Sequence, residues 1–220
     1  MRLSPTEEAA HATRDDEPAS AKWRDFALWC AIPVIIVVLL RVFVFGMYVI
    51  PSRSMEDTIM PGDRVVTTKL ASHIQKLQRG DIVVFKDPAN WLANEPNANS
   101  SFLIKRLIGL PGDTVACKGP GYPVTINGVA IHEESYLKPG VEPSSFAFQE
   151  HVTAGHLFVM GDNRANSADS RYHQNDGDEG LVPVNDVVGV AFLRYWPLNR
   201  IGWLSAHHDV FARVPEPANE

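Results

Sequence analysis

Cysteine is scarce in this chain. There are two in 220 residues, Cys30 and Cys117. No C-x-x-C and no paired spacing occurs, which excludes a zinc ribbon or a disulfide scaffold. Cys30 falls in a long apolar run and Cys117 lies far beyond it in DTVACKG, so no intrachain bridge is expected, and Cys117 reads as a small strand hydrophobe. Basic charge is also in deficit: 20 Lys and Arg stand against 26 Asp and Glu, a net charge of -6. That balance argues against nucleic acid as a partner. Neither H-E-x-x-H nor G-x-S-x-G is present. His207-His208-Asp209 is compact, but adjacent residues of a strand diverge. The acidic tract NDGDEG fails as a calcium loop, because taking Gly180 as its sixth position puts Gly177 at a ligand place. A Ser-His-Asp triad stays open on composition, since eight histidines are available. No internal repeat and no heptad pattern is found.

One feature is abundant. From Phe26 to Gly46 the only charged residue is Arg41. A spanning helix needs about 20 mostly apolar residues, so 26–46 predicts a single transmembrane anchor; a buried core helix is the other reading. Pro33 is tolerated in a membrane helix, and Arg41 can snorkel to the headgroups from near the end of the run. A cleaved signal peptide fits worse, because the leader is long and acidic and no A-x-A follows. Residues 1–25, polar and holding Pro5 and Pro18, predict a disordered tail. Basic residues lie on both sides of the run, so charge does not set the orientation.

Beyond the anchor the texture changes to short β-branched runs between turn residues. Strands are expected at Met47–Pro51, Arg64–Leu70, Asp81–Phe85, Phe102–Leu110, from Val115, at His156–Met160 and at Val187–Tyr195. Residues 71–78 suit a short helix and 87–101 a polar loop. Val124 to Ile131 predicts a hairpin, since Asn127-Gly128 supplies the positive φ values of a two-residue turn. Residues 132–154 read as irregular. Some 170 residues suffice for one domain with a real core, and many short strands with Gly/Pro turns predict a mostly β, antiparallel one.

Three places can carry chemistry. In SFLIKRLIGLPGD, alternation puts Leu103, Lys105 and Leu107 on one face and Ile104, Arg106 and Ile108 on the other. Each face then holds one cation among aliphatic groups. A buried lysine loses its charge more readily, and moving it from about 10.4 to near 8 costs about 3 kcal/mol. Such an amine can take a proton from a serine; the alternative is a lysine snorkelling from an edge strand. Ser52 and Ser54, two apart, point the same way from an extended strand, so one can attack while the other stabilises the oxyanion. Turn serines are common, however. The run Met160-Gly-Asp-Asn-Arg-Ala-Asn-Ser-Ala-Asp-Ser-Arg171 can buttress a site or be a solvated turn.

Taken in order, the apolar run, IPSRSM, RGDIVVF, IKRLIGLPGD and MGDNRANSADSR resemble the bacterial type I signal peptidases, Ser/Lys proteases that cut signal peptides from exported proteins. The resemblance covers nearly the whole chain from about residue 26. It implies Ser54 as nucleophile, Lys105 as general base, and the Ser52 hydroxyl with the Ser54 N–H as oxyanion hole. Ser167 would orient the Lys105 amine, Arg106 and Asp162 would form a supporting ion pair, and Asp169 with Arg171 a second. It implies an antiparallel β catalytic domain over 47–215 with a smaller β insert at about 113–155, a short tail at 216–220, and no cofactor or metal. It further implies a single-pass plasma-membrane protein with a cytoplasmic N-terminus and an extracytoplasmic catalytic domain. The partners would be exported preproteins and the lipid bilayer; contact with the secretion translocon is left open. Two residues depart from the family pattern. Arg53 replaces the usual glycine between the serines, so the loop must avoid a glycine-only conformation, and Asp57 replaces the usual proline. The rivals are a soluble self-cleaving repressor with the same dyad, which the anchor and the acidic balance disfavour, and a catalytically inactive membrane-anchored binding module.

Overall fold

The computed structural model describes residues 19–69, 76–92 and 101–217. The chain divides into two compact units, Met1–Leu40 and Arg41–Glu220. In the first, helix α1 spans Ala19–Leu39 with Pro33 inside it. It starts within the segment expected to be a tail, so residues 19–25 are helical; residues 1–18 lie outside the described part. Phe26, Trp29, Ile32 and Val34–Leu39 are all exposed on α1.

The apolar run does not stay in one helix. A π-helical turn, Leu40–Val44, follows α1, and strand β1 already begins at Phe45. Of the 26–46 run only Phe26–Leu39 is α-helical, about 21 Å at 1.5 Å per residue, against a hydrocarbon core of about 30 Å. Among the described residues no helix is long and apolar enough to cross a membrane. The β-branched residues and Gly46 near the end of the run favour extended backbone over another helical turn.

The second unit is mostly antiparallel β structure. Its strands are β1 (Phe45–Val49), β2 (Arg64–Thr68), β3 (Ile82–Lys86), β4 (Phe102–Gly109), β5 (Thr114–Lys118), β6 (Val124–Ile126), β7 (Val129–Ala130), β8 (Ala147–His151), β9 (His156–Met160), β10 (Val182–Pro183), β11 (Val187–Trp196) and β12 (Gly202–Trp203). The larger sheet runs β1-β2-β11-β3-β4-β9-β10, with β12 paired to β11. A smaller sheet, β7-β6-β5-β8, lies within the stretch expected to be an insert. The β6–β7 hairpin turns at Asn127 and Gly128, at φ 51 and 80. β8 falls in the segment read as irregular, because AFQEH shows no strong apolar alternation. The short helix expected at 71–78 lies largely outside the described residues, and Lys76–Gln78 are not helical. Residues 93–100 of the expected polar loop lie outside as well.

β4 and β3 sit in the interior of the larger sheet. Ile82, Val83, Val84 and Phe85 are all buried, as a continuous apolar run requires when both faces of a strand are covered. Leu103 and Leu107 join Val83, Phe85 and Val159 in one cluster. On the other face Ile104 packs with Ile50, Met55 and Ile82. Ile108 packs toward the smaller sheet, with Val115, Ile126 and Phe158. Gly109 makes this junction possible: a Cβ there would lie 2.6 Å from Val115 Cγ2.

Candidate active site

β4 holds Lys105 in register opposite Val83 of β3. It is a central strand, so the amine cannot reach solvent along an edge, and Lys105 is 4% exposed. Ser54 lies in the turn that leaves β1 and is 5% exposed. Lys105 Nζ donates to Ser54 Oγ at 2.7 Å, and Ser52 Oγ stands 3.2 Å from Ser54 Oγ. The three groups share the wall of a cleft of about 240 Å³. The rest of its lining is largely apolar, including Tyr48, Ile50, Val84, Trp91, Phe102 and Ile104.

The loop after β9 fixes this arrangement. Asn163 N donates to the Ser54 carbonyl at 2.9 Å, and Asn163 Nδ2 reaches the Arg53 carbonyl at 3.1 Å and Glu56 at 3.3 Å. Asp162 accepts from Thr58 Oγ1 at 2.6 Å and from Arg106 Nε and Nη2 at 2.8 and 2.7 Å. Both members of the Arg106–Asp162 pair are fully enclosed. The remaining Arg106 nitrogen donates to the carbonyls of Gly80, Ser205 and Ala206, and the guanidinium lies 4.2 Å from the centre of the Tyr136 ring. A buried charge held this completely offsets its desolvation.

Asp169 and Arg171 form the second buried pair, at 2.8 and 2.9 Å. Burial alone would raise the Asp169 carboxyl, but the Arg171 guanidinium and the N–H of Gly161 outweigh it and hold the group below the ordinary range. Ser167 is also buried, and its hydroxyl lies beside the Asp169 carboxylate, where it favours the ionised form.

Several contacts of the site gave no sequence signal, although Asn163 and Arg164 lie in the run read above as able to buttress a site. Asn163 and Thr58 act through backbone and carboxylate contacts that only the fold creates. Glu56 is buried and takes a 2.7 Å bond from Lys138, which holds its carboxyl below the usual range. Arg164 pairs with Glu133, both enclosed, with Arg164 Nη1 to Glu133 Oε2 at 3.0 Å. Trp91 stacks on His173 with ring centres 4.4 Å apart and donates to Asp176 at 2.7 Å. Asp176 also accepts from the N–H groups of Asp178 and Gly180, so the acidic tract braces a wall of the cleft. His208 contacts Asp81 at 3.0 Å.

A buried hydroxyl bonded to a buried amine, at the wall of an apolar cleft in an antiparallel β domain, suits a serine hydrolase whose base is an amine. The profile of the family described as "Signal peptidase, peptidase S26" matches residues 23–196. The chain is 36% identical to a signal peptidase I of Leptolyngbya laminosa over 91% of both chains. It is 33% identical to a probable signal peptidase I of Mycobacterium leprae over 89% of this chain and 83% of the relative. A signal peptidase I of Bacillus caldolyticus is 32% identical over 87% of this chain and 98% of its own. The chain belongs to the signal peptidase family, peptidase S26, and is a serine peptidase of that class.

Proposed function

We propose that this protein hydrolyses one peptide bond in exported preproteins, with Ser54 as nucleophile and Lys105 as general base. The observation that carries this is the 2.7 Å contact between Lys105 Nζ and Ser54 Oγ, with both residues at least 95% buried. Enclosure disfavours the ammonium form, and a neutral amine at that distance can accept the serine proton. Ser54 Oγ attacks the scissile carbonyl, and the proton passes to Lys105. The amine returns it to the leaving nitrogen as the C–N bond breaks. A water then gives a proton to Lys105 and attacks the acyl ester; the ester C–O bond breaks, Lys105 returns that proton to Ser54 Oγ, and the new carboxylic acid leaves. The Ser52 hydroxyl and the Ser54 N–H donate to the oxyanion. Ser167, buried in the loop after β9, orients the amine as it turns between these tasks. Arg106–Asp162 and Asp169–Arg171 hold the loop after β9, whose Asn163 N–H donates to the Ser54 carbonyl.

The substrate lies extended in the cleft, aligned by backbone hydrogen bonds. The apolar lining at Ile50, Val84 and Ile104 selects small residues at the first and third positions before the cut. The exposed apolar side chains of α1 support a membrane-associated segment formed by this helix and the turn after it; the ground for a cytoplasmic N-terminus and an outer catalytic domain is the family resemblance alone. Holding enzyme and precursor at one lipid surface raises their effective concentration. The test is direct: incubate the purified chain with a precursor ending its signal segment in A-x-A and identify the products by mass. Two fragments with their new termini at that site are expected; an intact precursor contradicts the proposal.

A further inference from the structure

Arg53 separates the two site serines. It holds an ordinary negative φ, and its carbonyl is clamped by Asn163 Nδ2 and by Glu56 N. The backbone is therefore fixed while the side chain, 69% exposed, lines the cleft. Among the described residues its ion-pair partner is Glu56, at 3.7 Å. That carboxylate is already engaged by Lys138 at 2.7 Å and by Asn163, and its bond to Lys138 keeps it ionised. Arg53 and Lys138 thus share one carboxylate beside the nucleophile, and among the described residues that leaves one positive charge over. Asp57, the nearest other acid in the chain, does not line the cleft.

We infer that Arg53 selects substrates with an acidic side chain in the first two residues after the cut. The inference rests on the peptidase reading above. The segment before the cut, with its small and apolar residues, matches the aliphatic lining. The polar segment after it is the part that an exposed guanidinium next to Ser54 can recognise. A partly exposed ion pair changes affinity modestly, and a lysine at the same place adds repulsion in the other direction.

The test uses the full chain and precursor peptides that differ only at these two positions, carrying Asp, Asn or Lys there. With the native enzyme, kcat/KM for the Asp peptides exceeds that for the Lys peptides by about fivefold or more, and the gap narrows in about 1 M salt. Arg53→Gln levels the series, Arg53→Glu inverts it, and Arg53→Lys keeps it. Equal rates on Asp and Lys peptides with the native enzyme overturn the inference while leaving the peptidase reading intact, as does a preference that survives Arg53→Gln. Failure to cut any peptide overturns the peptidase reading itself. The native series decides the question even if a variant does not fold.

Discussion

Gly161 and Ser54 approach so closely that a Cβ on Gly161 would lie 2.4 Å from the Ser54 carbonyl oxygen. The same atom would lie 2.3 Å from Ser167 Oγ. Neither neighbour can yield without moving the Lys105–Ser54 contact or the buried Asp169 pair. The loop after β9 is therefore seated on the serine turn by the absence of a side chain.

Gly161→Ala is expected to cut precursor cleavage by about a hundredfold, since displacements on the order of 1 Å cost that much in a positioned site. Circular dichroism should show the β domain retained. Native rates in this variant contradict the seating.

Arg106→Ala strands the Asp162 carboxylate in an enclosed site. A loss of about 3–5 kcal/mol of stability is expected from breaking one side of a buried pair, read by urea denaturation. The double change Arg106→Met with Asp162→Leu should recover part of the loss, because no unpaired charge is left, yet cleavage should remain low because Thr58 and the serine turn lose their anchor. A fully stable Arg106→Ala contradicts the account.

Asp169 gives the expected acid limb. Its carboxyl is held below the ordinary value of 3.8 in the folded chain. The unfolded chain binds the proton first as pH falls, so the stabilisation from this group is complete above about 4 and is lost as pH drops through the lowered value. Asp169→Asn should be less stable than the native chain at neutral pH, with the difference shrinking below pH about 4. A pH-independent difference contradicts the ion-pair assignment.

Ser52→Ala should slow turnover by about 100-fold to 1,000-fold, the usual effect of losing one oxyanion donor, with little change in melting temperature because Ser52 is only partly buried. An unchanged rate would remove Ser52 from the oxyanion hole.

The legible parts of this chain are those where local pattern and tertiary need agree. β9 is found at His156–Met160, as its apolar run between turns predicts, and the β6–β7 turn follows from Asn127-Gly128. Alternation in β4 put Lys105 and Arg106 on opposite faces. Periodicity could not tell a central strand from an edge strand, and that choice decides whether an amine is enclosed. The 26–46 run read as one helix because hydropathy does not register the change to extended backbone at Phe45. The run holding Asn163 and Arg164 was legible as a buttress, but the partners of Asn163, Thr58 and Arg164 were not, because they are 31 or more residues away in the chain and no local rule links them. The resemblance supplied roles that the residues alone left open, above all for Ser167.

The most direct measurement is precursor cleavage by Lys105→Met, set beside its thermal stability. Methionine matches the lysine stem out to Cε, with sulfur for the δ-methylene, and lacks the amine, so the enclosed strand should be as stable as before or more so. The account requires melting at or above the native temperature together with a rate lower by about 1,000-fold or more, because serine without its base is a poor nucleophile. A well-folded Lys105→Met that cleaves within tenfold of the native rate would show that the amine 2.7 Å from Ser54 Oγ is not the base.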